Sequence, residues 1–211
     1  MSGFWVLLGG DSCGKSEVLR QLGGRGWRTV SYDDAHAADV PVVRRLVSSL
    51  FFDAYTCLDR PYSRELTFSL LTPVVWYLRD EALRQAALGP TLVDSYYFKL
   101  LAKGRLTGIA DPATAALWRS LPQPDGVVFL DVDPELAWAR SGGELNPFEH
   151  YDREPTRDGF IRYQRDLREA MLHEVRHLDM RIVPADRSRD LVAERVRASI
   201  RDRLPASGLR T

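Results

Sequence analysis

The sequence predicts a three-layer α/β sandwich: a five-stranded parallel sheet with helices on both faces and a short lid. Three observations lead there. Five short apolar runs alternate with stretches of helical period, the pattern of parallel strands joined by crossover helices. The first run stops in a glycine-rich turn, Gly9-Gly10-Asp11-Ser12-Cys13-Gly14, and a helical pattern opens directly after it. Asp111-Pro112 and Asp133-Pro134 mark helix starts, with Asp as N-cap and Pro at the first helical position. At 211 residues the chain is expected to form one domain spanning 1–211.

The elements follow in order. Phe4-Trp5-Val6-Leu7-Leu8 reads as a short buried strand, and Glu17 to Leu22 as the first turns of a helix. Trp27 to Ser31 is the second strand. Pro41 to Cys57 is helical by pattern. Ser63 to Ala87 is too, but Pro73 should kink or split it, because proline brings no N–H and crowds the preceding turn. Gly89-Pro90 leads into the third strand, Thr91-Leu92-Val93. Pro122 sits where a helix must end, ahead of the fourth strand, Gly126 to Val132. Gly142-Gly143 and the polar stretch to Arg157 form the expected lid, at about 141–158. A long helix runs from about Gly159 to Leu178, with Tyr163, Leu167, Met171, Val175 and Leu178 as its inward stripe. Met180 to Pro184 is the fifth strand, and Pro205 sits where the final helix ends.

Composition narrows the function classes. Acidic and basic residues balance at 29 each, so no broad field favours nucleic acid or an anionic membrane surface. No apolar run approaches the roughly 18–20 residues of a membrane span. Two cysteines, Cys13 and Cys57, make no disulfide framework, and no cationic leader precedes the first strand. Both point to a cytoplasmic protein. A homodimer is left open.

The run Gly9-Gly10-Asp11-Ser12-Cys13-Gly14-Lys15-Ser16 fits the phosphate-loop pattern G-x-x-x-x-G-K-[ST]. The fold class is therefore of P-loop NTPase type. A strand that turns through glycines into a helix aims several backbone N–H groups at one point, at the positive end of a helix dipole. That arrangement suits the phosphates of ATP. Lys15 is expected at the β- and γ-phosphates and the Ser16 hydroxyl on Mg²⁺. The chain has three lysines, Lys15, Lys99 and Lys103, among 29 basic residues. A lysine in the loop is therefore no accident of composition, since a compact ammonium fits between phosphates where a planar guanidinium does not.

In an open parallel sheet, ligands sit beyond the carboxyl ends of the strands. The residues there are the loop at 9–16, Asp33-Asp34, Asp94-Ser95-Tyr96-Tyr97, Asp133 and Ala185-Asp186. Asp94 closes an apolar strand and is the candidate acidic partner of Mg²⁺, held through water. Asp33 or Asp34 is the candidate general base, against the plainer role of a turn or helix cap. Arg140, Arg153 and Arg157 are candidates for the charge clamp on the transferring phosphoryl, against a solvated salt-bridging face. Phe68, Trp76, Tyr96 and Tyr97 offer flat faces to an acceptor ring, against ordinary core packing. His173-Glu174-Val175-Arg176-His177 matches the metalloprotease pattern H-E-x-x-H, with Glu194 the nearest downstream acid for a third zinc ligand.

Two further stretches give a resemblance to thymidylate kinases. Pro124-Asp125-Gly126 through Leu130-Asp131-Val132-Asp133-Pro134-Glu135, followed by Ala139-Arg140, resembles the family's "P-D-…-L-D-V-D-P-E…R". Gly143-Glu144-Leu145-Asn146-Pro147-Phe148-Glu149 resembles its "G-E-L-D-R-F-E" lid, and Gly9-Gly10-Asp11 its "G-G-D" opening. The resemblance covers about a third of the chain. It implies a nucleoside monophosphate kinase fold, ATP in the loop, a lid that closes over it, and a substrate-side role for Asp11. The departures fall mainly on the acceptor side. The family's "D-R-Y" is here Asp94-Ser95-Tyr96, so Ser95 replaces an arginine associated with the acceptor phosphate. Its "R-E-P" is Tyr32-Asp33-Asp34, its base-reading arginine falls near Pro73, and its lid arginine is Pro147. Glu17 stands where the family carries a threonine serving the α-phosphate. The expected function is ATP-dependent transfer of the γ-phosphate to a small-molecule acceptor: a nucleotide, a nucleoside or another compound. A hydroxyl acceptor is preferred and dTMP is a poor one. The alternatives are a catalytically silent ATP-binding module of the same fold and, more remotely, a zinc peptidase.

Overall fold

The computed structural model describes residues 3–37, 41, 44, 45, 63–143, 145, 149–151 and 156–201. Five strands form one sheet: β1 (Phe4–Gly9), β2 (Arg28–Val30), β3 (Thr91–Asp94), β4 (Gly126–Asp131) and β5 (Met180–Pro184). Every pairing is parallel, in the spatial order β2-β3-β1-β4-β5. The central strand β1 is buried on both faces because both faces are covered. Its side chains alternate between two cores. Phe4, Val6 and Leu8 face one and Trp5 and Leu7 the other.

The helices divide accordingly. α1 (Lys15–Gly23) packs Val18, Leu19 and Leu22 into the Trp5–Leu7 core. The opposite core takes α2 (Arg64–Ser69), α3 (Thr72–Ala86), α4 (Phe98–Leu106), α5 (Pro112–Arg119) and the inner side of the long helix that follows α6 (Pro134–Ser141). That long helix is α7 (Arg157–Val175). It buries Tyr163, Leu167, Met171 and Val175. The last helix, α8 (Arg189–Arg201), joins α1 on its face through Val192, Ala193, Val196 and Ile200.

The helix boundaries follow the capping chemistry in the sequence. Asp111 accepts from the Thr114 N–H and Asp133 from the Glu135 N–H, each with Pro in the first turn. Thr156 caps α7 by accepting from the Gly159 N–H. Pro73 does split its segment: α2 ends at Ser69, and Pro73 sits in the first turn of α3, where its missing N–H costs nothing. Gly142, with a φ of 65°, ends α6 in the left-handed conformation that glycine adopts freely. β2 is shorter than expected. The Trp27 N–H is taken by the Leu22 carbonyl, and Asp34 draws the Ser31 N–H into a turn. The helix expected at 41–57 falls largely outside the described residues, the lid expected at 141–158 partly so, and Cys57 and Pro205 lie outside them. Glu149 to Tyr151 are described. The Tyr151 hydroxyl donates to Asp166 on α7, and its ring meets Tyr163 edge-on at 5.1 Å.

Candidate active site

The carboxyl ends of the strands gather the loop after β1, a 3₁₀ turn at Tyr32–Ala37 after β2, and Asp94-Ser95 after β3. Register sets Asp94 beside Leu7, and the Ser95 N–H donates to the Leu7 carbonyl at 2.9 Å.

Glycine is required at two steps of the loop by close approach. A methyl group on Gly9 would lie 2.8 Å from both the Cys13 sulfur and the Leu130 carbonyl, and one on Gly10 would lie 2.8 Å from Gln164 Oε1. Gly14 opens α1 with a φ of 97°. The Lys15 ammonium folds back over the loop, donating to the Gly9 and Gly10 carbonyls at 3.3 and 3.2 Å. Burial alone would pull that ammonium down. Cys13, Asp94 and Asp11 outweigh burial and hold it above the usual lysine value. Lys15 therefore stays charged at any working pH.

Two clefts meet on this loop, and Ser12, Lys15 and Ser16 border both. The larger, about 540 Å³, also runs along Glu17, Arg140 and Arg187. Arg140 is fixed there by donating to the Ala185 carbonyl at 2.9 Å. Glu17 is turned onto the helix surface, where hydrogen bonds from Arg20 and Gln21 hold it down to about 2. The smaller cleft, about 180 Å³, lies on the other side and is lined by Asp33, Asp94, Ser95, Tyr96, Lys99 and Lys103 among others. Asp94 accepts from the Ser95 hydroxyl at 2.7 Å. Ser95 and Tyr96 hold φ values of 58° and 48°, a strained pair of left-handed residues at the mouth of the site.

The expected site residues separate into those the fold gathers and those it does not. Lys15, Ser16, Asp33, Asp94, Ser95 and Tyr96 come together on the smaller cleft, and Arg140 stands on the larger. Several others lie elsewhere or have other partners. Asp34 accepts from the Ser31 N–H and serves its own turn. Phe68 is fully buried against Trp118, with ring centroids 4.6 Å apart, and belongs to the core. Tyr97 is buried beside Phe98 with its hydroxyl on Gln123. Trp76 lies half-buried under the Arg79 guanidinium, 4.1 Å from its carbon, and outside the cleft lining. Arg157 pairs with Glu135 at 2.9 Å and lies outside both clefts. Arg153 lies outside the described residues.

Lys99 and Lys103 are site-lining residues that the sequence reading did not single out. Asp11, expected on the substrate side, is buried, and its Oδ1 takes both the Lys99 ammonium at 2.7 Å and the Lys103 ammonium at 3.1 Å. Its Oδ2 accepts from Gln164 Nε2 at 2.8 Å, and its N–H donates to Gln164 Oε1 at 2.9 Å. Burial would raise the Asp11 carboxyl, but Lys103 and Lys99 hold it well below the usual carboxylate range. Burial pulls Lys99 down to about 8; Asp11 opposes that, and the like charges of Lys15 and Lys103 add to it. All three lysines of the chain thus converge on this corner. The signal was in the sequence as a Lys99–Lys103 spacing of one helical turn just after Asp94, in a chain that elsewhere uses arginine.

The H-E-x-x-H stretch has its own geometry. Glu174 is buried and receives Arg119 at 2.9 Å and Arg105 at 3.2 Å, tying α7 to α5 and α4. Both ring nitrogens of His173 lie against arginines, Arg105 at 3.2 Å and Arg176 at 3.0 Å. Among the described residues, no three His, Cys, Asp or Glu side chains converge as a metal centre requires. Glu174 acts as a clamp, so Glu174→Gln should destabilise the fold. The arginines are half-exposed and can turn to water, which limits the loss to about 1 kcal/mol. That corresponds to roughly 2–4 °C in Tm, read by calorimetry. Stoichiometric zinc, lost with His173→Ala, would overturn the clamp.

No helix among the described residues is long and apolar enough to cross a membrane. No protein-family model matches the sequence, and a search of curated proteins returns no significant match. Solved structures do match in fold. A thymidylate kinase from Candida albicans aligns over 95% of this chain and 92% of its own, with a TM-score of 0.62 at 15% identity. A deoxyadenosine kinase from M. mycoides, solved with dCMP and a flexible dCDP bound, aligns over 94% of this chain and 98% of its own, with a TM-score of 0.62 at 13% identity. The chain has the five-stranded parallel fold that these P-loop nucleotide kinases share.

Proposed function

We propose that this P-loop nucleotide-kinase fold carries out ATP-dependent phosphoryl transfer to a small-molecule acceptor in a reducing, cytoplasmic setting. The observation that carries this is Lys15 and Ser16 at the junction of two clefts. A donor in the larger and an acceptor in the smaller would meet at the loop, which is the arrangement transfer needs.

The residues present fit an ATP·Mg²⁺ donor. Gly14 borders the larger cleft, has a φ of 97° and leaves open space where a side chain would stand, so backbone can approach phosphate there. The Lys15 carbonyl contacts are exchangeable for phosphate oxygens. Ser16 and Asp94 border the same cleft and would hold Mg²⁺, which supplies charge neutralisation across the β- and γ-phosphates. Lys15 stabilises charge on the transferring group. Arg140 lies on the donor side and contributes to the donor's positive field. Asp33 would accept the proton of an acceptor hydroxyl as that oxygen bonds to the γ-phosphorus and the bond to the β-phosphate oxygen breaks, leaving ADP. An already ionised phosphate needs no such base, so Asp33 favours a hydroxyl acceptor over dTMP.

The test is transfer from γ-labelled ATP across a panel of nucleosides, nucleoside monophosphates and small hydroxyl compounds. Phosphorylation of a hydroxyl acceptor with kcat/KM above that for dTMP is the expected result. Tight ATP binding with no transfer to any acceptor would make this a silent nucleotide-binding module instead.

A further inference from the structure

We infer that Lys99 and Lys103 form a binding site for an anionic group on the acceptor, separate from the hydroxyl that receives the phosphoryl. The acceptor is then a hydroxylated anion, with a phosphate monoester or a carboxylate as its handle. This rests on the small-molecule kinase reading above.

Three observations carry it. First, both lysines line the smaller cleft, on the side away from the donor. They stand one turn apart on α4, so their side chains reach the same place. Second, their charges are not balanced by their shared partner. Both ammoniums meet a single oxygen of Asp11, two positive charges against one negative, with side chains only 12% and 9% exposed. The other Asp11 oxygen is committed to Gln164. Two desolvated ammoniums sharing one carboxylate oxygen are costly, and an anion seated on them relieves that cost. Burial is the main cause of the depressed value of Lys99; Lys15 and Lys103 add to it, and Asp11 and Cys13 oppose it. Third, the choice of residue is selective. The chain has three lysines and 29 basic residues in all, and two of the three are spent here. A lysine ammonium can sit on Asp11 and turn to a ligand by rotating its stem, whereas a planar guanidinium would be committed to one fork.

Asp33, Asp94 and Glu149 line the same cleft. They make it unsuited to an anion placed at random. The lysine pair therefore fixes orientation as well as affinity: handle on Lys99 and Lys103, hydroxyl toward Asp33. Ser95, where a thymidylate kinase carries arginine, is then replaced in charge by lysines from the next helix.

The test has two arms. Inorganic phosphate is titrated into protein loaded with a non-hydrolysable ATP analogue and Mg²⁺, so that the donor side is filled, and binding is followed by calorimetry. Lys103→Met should weaken phosphate about 10- to 100-fold, the worth of one charge-assisted hydrogen bond. Lys103→Arg should recover part of it. Equal phosphate affinity in wild type and Lys103→Met, with Tm retained, would overturn the assignment. If Lys103→Met does not fold, Lys99→Met is measured in its place. The second arm compares matched acceptors: a nucleoside with its 5′-monophosphate, and a hydroxy acid with its amide. The wild type should prefer the anionic member of at least one pair, and Lys103→Met should erase that preference through KM. The pair that responds identifies phosphate or carboxylate as the handle. Preference for both neutral members would also overturn it. The phosphate titration needs no turnover, so failure of every acceptor would sink the kinase reading, while the titration alone decides whether Lys99 and Lys103 bind an anion.

Discussion

Lys15→Ala should lower kcat by about two to three orders of magnitude, the usual loss when one preorganised charge is removed from a transition state. The reason is positional. The Lys15 ammonium rests on the Gly9 and Gly10 carbonyls, at the rim shared by both clefts. In that place it would follow the γ-phosphoryl of the proposed donor to the acceptor and bind it more tightly as charge spreads over the equatorial oxygens. The fold itself should survive, because no buried counter-ion depends on Lys15 alone. Asp94 and Asp11 both act on it, yet each has its own hydrogen-bond partner. ATP affinity should fall less than kcat. Single-turnover kinetics with labelled ATP measure both, and an unchanged kcat would remove the loop from the chemistry.

Asp11→Ala should be the most destabilising single change in the site. It leaves two buried ammoniums facing each other and strands the Gln164 amide. Breaking a buried ion pair by deleting one partner costs about 3–5 kcal/mol. For a domain of this size that is roughly 6–20 °C in Tm. The wild type carries a matching acid signature. The folded Asp11 carboxyl lies below its unfolded value, so its contribution is fully present above about pH 4. It is lost as pH falls toward the folded value. Asp11→Asn should remove that part of the acid limb while keeping most of the Gln164 contacts. Urea titrations at pH 7 and pH 3 read both effects: the gap between wild type and Asp11→Asn should narrow at the lower pH. A gap that stays constant would mean that Asp11 is not the group being titrated.

The fold was legible because its signals are local. Parallel strands buried on both faces must be continuously apolar, and β1, β3 and β4 read that way. Asp111, Asp133 and Pro73 announced their helix boundaries through capping and the missing proline N–H. The phosphate loop was legible because its glycines answer to the loop's own geometry. The acceptor side was not. Phe68 and Tyr97 carry the same flat faces whether they line a cleft or a core, and only packing against Trp118 and Phe98 decides it. Asp34 reads like Asp33 in the sequence, and only the structure shows that Asp34 accepts from the Ser31 N–H while Asp33 borders the smaller cleft. The Asp11 corner joins the phosphate loop to α4 and α7, far apart in the chain, through side chains that carry no periodic signal of their own.

The lysine distribution has a practical consequence. The only side-chain amines in the protein are Lys15, Lys99 and Lys103, and all three line the smaller cleft. Elsewhere the positive surface is guanidinium, inert to acylating reagents. Apart from the N-terminal amine, an amine-directed reagent therefore has nowhere to react except this corner. Burial pulls Lys99 down to about 8, which leaves part of it unprotonated and nucleophilic near neutral pH. Any acylation, whether by a chemist's active ester or by a metabolic thioester, becomes a report on site occupancy, and filling the clefts should silence it. Coupling the protein to a surface through its lysines would, by the same reasoning, bury the site against the support.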